Sequence, residues 1–299
     1  MNCLSLFDGI SVGQEALKRA NIPVNNYYAS EIDEYAMLVA RLNHPDTIHV
    51  GDITELDTSK LPLIDLMIAG FPCQDLSSLG KGAGLQGERS GLFFQALRVF
   101  DEVKPTYWIF ENVASMRKSE KDKITELLGV EPIMICSSKL SAQTRKRLYW
   151  TNIPGVTQPK DKGILLQDIL TSGFADRSKS HALLTNQLPE TETGIKRYLG
   201  KSTGQLAFRE EYYAELDKPT KLKRYSAMQR VSEGFGHHKD FERNKVFRHL
   251  NVHECEALQT LPKDYTAGIS KSQRFKCLGN SFTCDVITHI LSFIPTVNN

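Results

Sequence analysis

Leu66-Met67-Ile68-Ala69-Gly70-Phe71-Pro72-Cys73-Gln74 decides how this chain is read. Asp65 and Gly70 bound a short, continuous apolar run, the pattern of a strand buried on both faces of a parallel sheet. The chain leaves that strand through a stiff Phe-Pro step, which fixes the backbone and presents a cysteine. Open α/β sheets place their chemistry at strand tips, so Cys73 stands where a nucleophile would be placed. The competing reading is a small buried hydrophobe, because free cysteine is among the most buried residue types.

Working back toward the N-terminus, Cys3-Leu4-Ser5-Leu6-Phe7 reads as a first strand. Asp8-Gly9-Ile10-Ser11-Val12-Gly13 turns from it into a helix carrying Val12, Ala16, Leu17 and Ala20 on one face. The turn lacks the middle glycine with which a GxGxxG loop approaches a pyrophosphate, which suits a cofactor without phosphates. A second strand, Asn26-Tyr27-Tyr28-Ala29-Ser30, ends in Glu31, where nucleoside-binding folds put the carboxylate that accepts from ribose hydroxyls; Ile32 follows as an apolar face for a purine. A third, Thr47-Ile48-His49-Val50, ends in Gly51-Asp52-Ile53. Single acids at strand ends are usually caps or solvated charges. Three tips in succession favour an adenosine site.

Forward of Cys73, the segment 75–90 carries Gly80, Gly82, Gly84 and Gly87, with Gly91 after it, together with Ser77, Lys81 and Arg89. A long glycine-rich loop inside a compact domain is the composition of a lid. A helix from about Leu92 to Val103 leads to a fifth strand, Tyr107-Trp108-Ile109-Phe110, with Glu111-Asn112-Val113 at its tip. There Glu111 faces the same crevice as Cys73, and burial beside a thiol would keep it protonated, as a general acid requires. Ile133–Cys136 is a further strand. In Gln143-Thr144-Arg145-Lys146-Arg147-Leu148-Tyr149-Trp150, Arg145 and Arg147 share one face of an extended segment.

In this order and spacing, Phe71-Pro72-Cys73-Gln74, Glu111-Asn112-Val113 and Gln143-x-Arg145-x-Arg147 resemble the cytosine-C5 DNA methyltransferase family. The resemblance extends to Phe7-Asp8-Gly9, Glu31 and Gly51-Asp52-Ile53, to Arg248-x-Leu250 with Glu254, to Leu258-Gln259 and Leu261-Pro262, and to Gln273-x-Phe275 and Gly279-Asn280-Ser281. Its Phe-Asp-Gly turn is most similar to the de novo branch known from animals. Ser11-Val12 departs from the usual glycine pair, and His253 and Ala257 stand where arginines are common.

The resemblance implies a doubly wound, mostly parallel α/β sheet of the Rossmann-like methyltransferase kind. Residues 1–153 plus 246–299 would form the catalytic domain, and 154–245 an inserted target-recognition domain. It implies S-adenosylmethionine as methyl donor, with no metal, and a stand-alone bacterial or phage enzyme acting on double-stranded DNA. Cys73 is then the thiolate that adds to cytosine C6; Glu111, Arg145 and Arg147 complete the catalytic set. The donor site would comprise Phe7, Asp8, Gly9, Ile10, Gly13, Glu31, Ile32, Asp52, Ile53, Gly70, Pro72, Leu92, Asn280 and Ser281. Ser77, Lys81 and Arg89 of the lid would meet DNA around a flipped-out cytosine.

Composition sets the bounds. In 299 residues with 40% apolar content there is room for a large core, and a net charge of +2 does not by itself announce a nucleic-acid binder. The charge is unevenly spread. Between Lys196 and Arg248, thirteen Lys or Arg stand against seven Asp or Glu, interleaved with aromatics such as Tyr212, Tyr213 and Phe241. That surplus is a phosphate-binding footprint, with Lys221, Lys223, Arg224, Arg230 and His237 as DNA-binding candidates by charge. Six scattered cysteines (Cys3, Cys73, Cys136, Cys255, Cys277, Cys284) form no CxxC pair, against zinc or a disulfide framework. With no apolar run of bilayer length and no signal segment before the first strand, a cytoplasmic, monomeric protein with no membrane partner is expected, with a cognate restriction endonuclease as a candidate partner. The same reaction on tRNA is the alternative, although that branch's Cys-Phe-Thr signature is missing. A catalytically dead DNA-binding module and a nicotinamide dehydrogenase stand further off.

Overall fold

The computed structural model describes residues 1–72, 91–187, 198, 204–210 and 247–295. Contacts divide the chain into two units: 1–136, 146–159 and 281–299 in one, and 137–145 and 160–280 in the other. The expected inserted domain, 154–245, lies in large part outside the described residues.

The first unit is built on a seven-stranded sheet in the order β3-β2-β1-β4-β5-β8-β6. Its strands are β1 Asn2–Leu6, β2 Asn26–Ser30, β3 Ile48–Gly51, β4 Leu66–Gly70, β5 Tyr107–Val113, β6 Ile133–Cys136 and β8 Lys146–Thr151. The five strands from β3 to β5 pair in parallel, and β8 alone runs against its neighbours β5 and β6. The opening stretch is thus a central strand: Leu66 to Ala69 are all buried, as a run apolar on both faces requires. The doubly wound, mostly parallel α/β sheet expected from the sequence is the fold found. Phe93 and Phe100 of the helix Gly91–Val103 pack edge-on against Trp108 and Phe110 of β5, and Phe71 joins them with its ring 5.0 Å from that of Phe93. That contact anchors the Phe-Pro step at the tip of β4. The helices Val12–Arg19 and Cys284–Leu291 pack on each other, with Arg19 Nη1 2.9 Å from Asp285 Oδ1.

In the second unit two short ladders are described: β7 Gln143–Thr144 with β9 Ser180–His181, and β10 Leu206–Phe208 with β11 Phe247–His249. The helix Val252–Leu258 starts at Asn251, whose side chain caps Glu254 N–H while the Glu254 carboxylate takes Asn251 N–H. Glu254 is fully buried and balanced by Arg248 at 2.7 Å; Glu256, also fully buried, is balanced by Arg274 at 2.8 Å. No helix among the described residues is long and apolar enough to cross a membrane.

Candidate active site

Where β1 ends, the chain makes a turn of unusual conformation. Phe7, Gly9 and Ser11 have φ of 57°, 60° and 56°, so left-handed residues alternate through five positions, two of them not glycine. Such backbone strain persists only where the surroundings over-determine it. Here the buried Asp8 carboxylate accepts from Ser11 Oγ and from the Tyr27 hydroxyl at 2.7 Å. Burial pushes Asp8 up from its ordinary 3.8 to about 6, against the pull of hydrogen bonds from Ser11, Ser5 and Tyr27, and the nearby Glu31 charge adds to the rise.

Gly9 N–H, at the crest of this turn, donates to Glu31 Oε2 at 2.8 Å, and Glu31 Oε1 accepts from Ile32 and Asp33 N–H, each at 2.8 Å. The carboxylate at the β2 tip is thereby fixed, with its remaining lone pairs at a half-buried position. Beside it Ile32 is 67% exposed, a large apolar side chain left open at a strand tip. Asp52, also half-buried, uses Oδ1 to hold Thr54 N–H. The expected donor-site residues therefore sort into two groups. Phe7, Gly9, Glu31, Ile32, Asp52, Gly70, Pro72 and Leu92 are half-buried or exposed, whereas the side chains of Asp8, Ile10 and Ile53 are taken up by the interior. Gly13 owes its identity to packing: a β-carbon there would lie 2.7 Å from the Tyr27 hydroxyl.

At the next tips, Glu111 is not beyond the end of β5, as the sequence reading had it, but inside the strand. It lies opposite Gly70 of β4 and Tyr149 of β8, because antiparallel pairing with β8 carries β5 three residues past Phe110. In that register Arg147 is the diagonal neighbour on the same face, and its Nε reaches Glu111 Oε1 at 2.8 Å. Asn112, fully buried, donates from Nδ2 to Phe71 O at 3.0 Å and accepts Val113 N–H, tying β5 to the residue two before Cys73. A β-carbon on Gly70 would fall 2.6 Å from the Phe282 ring and 3.6 Å from Glu111 Oε2, so that ring lies directly on the β4 tip. Sequence reasoning missed Asn112 and Phe282 as site residues; Asn112 stands inside a motif it quoted and Phe282 directly follows one, but their contacts are long-range.

In the second unit the expected extended run breaks. Gln143–Thr144 pairs with β9, Arg145 interrupts, and the next strand starts at Lys146, so Arg145 and Arg147 do not share one strand face. Buried Arg145 donates to Gly279 O at 3.2 Å and contacts Leu183 O at 3.5 Å. Gln143 Nε2 donates to Leu258 O, and its Oε1 accepts Leu183 N–H, with both bonds buried. Gly279 tolerates no β-carbon, since Leu184 backbone would be 2.6 Å away. Asn280, the last residue of the helix Lys271–Asn280, is exposed; Ser281, in the first unit, is buried. Cys73, Ser77, Lys81, Arg89, Lys221, Lys223, Arg224, Arg230 and His237 lie outside the described residues.

The chain matches the family described as C-5 cytosine-specific DNA methylase over residues 1–129 and 137–295. It is 29% identical over 232 residues to the Type II methyltransferase M.NgoBV of Neisseria gonorrhoeae, covering 69% of this chain and 54% of the relative. To the Type II methyltransferase M1.ScrFI of Lactococcus lactis it is 26% identical over 289 residues, covering 88% of this chain and 70% of the relative. The chain thus spans about half the length of the Neisseria proteins it matches. Among solved structures it is similar in fold to an Entamoeba histolytica methyltransferase, EhMeth (TM-score 0.70, 15% identity, 98% and 97% coverage). A DNMT2 of Spodoptera frugiperda is also similar (TM-score 0.66, 19% identity, 98% of each chain).

Proposed function

The chain belongs to the C-5 cytosine-specific DNA methylase family, and we propose from this that it transfers a methyl group from S-adenosylmethionine to C5 of a cytosine flipped out of a short duplex DNA site. The observation that carries the reading is the Glu111–Arg147 pair beside Gly70-Phe71-Pro72, the residues that lead into Cys73. The strand-tip chemistry fits the donor. Glu31 offers a fixed carboxylate for ribose hydroxyls, Ile32 an apolar face for adenine and Asp52 an acceptor for its amino group, while Tyr27 crowds Gly13 where a pyrophosphate loop would need space. Phe7, Gly9, Gly70, Pro72, Leu92, Asn280 and Ser281 would complete its surroundings. S-Adenosylmethionine supplies an electrophilic methyl group when bound.

Cytosine C5 becomes nucleophilic only after C6 is attacked, and the Cys73 thiolate forms that S–C6 bond. Electron density moves toward N3 and O2. Glu111, ion-paired with Arg147 at rest, takes up a proton from solvent as the cytosine enters and donates it at N3, and Arg145 holds O2; the new negative charge is thus met by fixed donors. Arg147, on Glu111, sets the angle of that carboxylate. The methyl group passes to C5 and leaves S-adenosylhomocysteine; a water molecule, acting as base, then takes the C5 proton as the S–C6 bond breaks and Cys73 leaves as thiolate. Residues 154–245 read the target, with Lys221, Lys223, Arg224, Arg230 and His237 on its phosphates, and Ser77, Lys81 and Arg89 close behind the flipped base. In the cytoplasm of a bacterium or phage-infected cell, a cognate restriction endonuclease is the matching partner.

The test is methyl transfer from labelled S-adenosylmethionine to unmethylated plasmid DNA and to tRNA, by wild type and Cys73→Ser, with bisulfite sequencing of the products. Label in DNA at one short context, lost in Cys73→Ser, is the expected result. Label only in tRNA would move the substrate, and none in either would end the enzyme reading.

A further inference from the structure

We propose that Tyr27 is a positioning residue of the donor site: its hydroxyl, acting through the buried Asp8 carboxylate, holds the left-handed turn Phe7–Ser11 in the shape that presents Gly9 to Glu31. The inference rests on reading that turn as the donor site. Tyr27 lies in β2, paired with Cys3 of β1, and is 2% exposed, so it touches no ligand directly. Its hydroxyl donates to Asp8 at 2.7 Å and has Ser5 as a further hydrogen-bond partner. Asp8 N–H in turn donates to Ser30 O at 3.1 Å, so the side chain and the backbone of one residue both hold the turn to β2, on either side of Ala29. Ser11, which departs from the usual glycine pair, is the second donor to the same carboxylate.

Two non-glycine residues in this turn, Phe7 and Ser11, are left-handed, and each resists that conformation when free. Asp8 lies between them, its buried carboxylate held by hydrogen bonds from Ser11, Ser5 and Tyr27. Gly9 N–H then meets Glu31 Oε2, the carboxylate that would take the ribose. The same hydroxyl also limits residue 13, where a β-carbon would lie 2.7 Å from it. Asp8, Ser11, Gly13 and Tyr27 form one set: a hydroxyl–carboxylate lock holds a turn that glycines would otherwise leave free.

Tyr27→Phe removes one hydroxyl and keeps the ring. Binding of S-adenosylhomocysteine by calorimetry and steady-state transfer to duplex DNA separate a positioning role from a merely structural one. Expected are a Kd, and a KM for S-adenosylmethionine, raised about ten-fold, with kcat at saturating donor within about two-fold of wild type, the scale set by one buried hydrogen bond. Ser11→Ala should shift the same two constants in the same direction, and it carries the test should Tyr27→Phe fail to fold. The double variant Tyr27→Phe with Asp8→Ala should cost no more than Asp8→Ala alone, since the hydroxyl then has no acceptor at residue 8 to hold. An unchanged Kd in Tyr27→Phe, or a fall in kcat with KM intact, overturns the inference. Should wild type itself not bind S-adenosylhomocysteine, the donor-site reading fails, and this inference with it.

Discussion

Arg147 Nε lies 2.8 Å from Glu111 Oε1, across the one antiparallel pairing of β5. Both side chains are largely buried, at 15% and 12% exposure, so this is not a surface pair of the kind that contributes nothing. Removing one partner leaves the other charge enclosed without compensation, which is the costly way to break such a pair. Arg147→Ala should therefore lower kcat by roughly a hundred- to a thousand-fold, the range seen when a preorganised polar partner is lost. Single-turnover methyl transfer at saturating DNA and donor measures it. An Arg147→Ala enzyme with wild-type kcat would remove Arg147 from the catalytic arrangement.

Asn112 should matter through the loop it holds. Its Nδ2 bond to Phe71 O is buried, and truncation leaves that carbonyl unsatisfied at a cost of about 1–3 kcal/mol. Since Phe71 lies two residues before Cys73, a loosened Phe-Pro step would misplace the thiol, where about 1 Å of error can cost ~100-fold in rate. Asn112→Ala should then show a modest fall in urea midpoint and a much larger fall in turnover. Equal, small effects on both would reduce Asn112 to a strand residue.

The expectations that held are those carried by short-range pattern. The continuous apolar run 66–69 identified a central strand because burial on both faces leaves that signature within five residues. Glu31 was legible at the β2 tip for the same reason, since the strand ends where apolar residues give way to acids. Glu111 was misplaced because the length of β5 is set by β8, a strand more than thirty residues later in sequence, whose basic residues look like solvated surface. Phe282 was invisible: nothing near position 70 announces an aromatic ring from the other end of the chain. The break at Arg145 follows from two ladders claiming its flanks, a tertiary fact without local sequence signal.

Gly70 and Phe282 make a rescue test. Alanine at Gly70 puts a β-carbon 2.6 Å from ring atoms, a distance real contacts do not reach, so the ring or the β4 tip must move. Glu111 Oε2 lies within 3.6 Å of the same point. Gly70→Ala should cut methyl transfer by about 100-fold through misplaced groups, and Phe282→Leu added to it should recover a substantial part. Failure of any second substitution at Phe282 to recover activity would show that Gly70 is needed for something other than room for the ring.

The buried Asp8 carboxylate gives stability a pH dependence whose sign is fixed. Its proton is held up to about 6 in the folded chain against an ordinary 3.8, so the native state binds that proton more tightly than the unfolded state. Asp8 thus imposes no ionisation penalty below about 3.8, and the penalty grows as pH rises through about 6, reaching roughly 2–3 kcal/mol at most from a difference of this size. Asp8→Asn cannot ionise. Its stability relative to wild type should therefore improve by about 2 kcal/mol between pH 4.5 and pH 7.5, whatever constant cost the lost carboxylate carries at both. Urea unfolding of the two proteins across this window measures the difference. A constant gap would mean that Asp8 titrates as an ordinary carboxylate, and a gap moving the other way would mean that its hydrogen bonds from Tyr27 and Ser11 outweigh its burial.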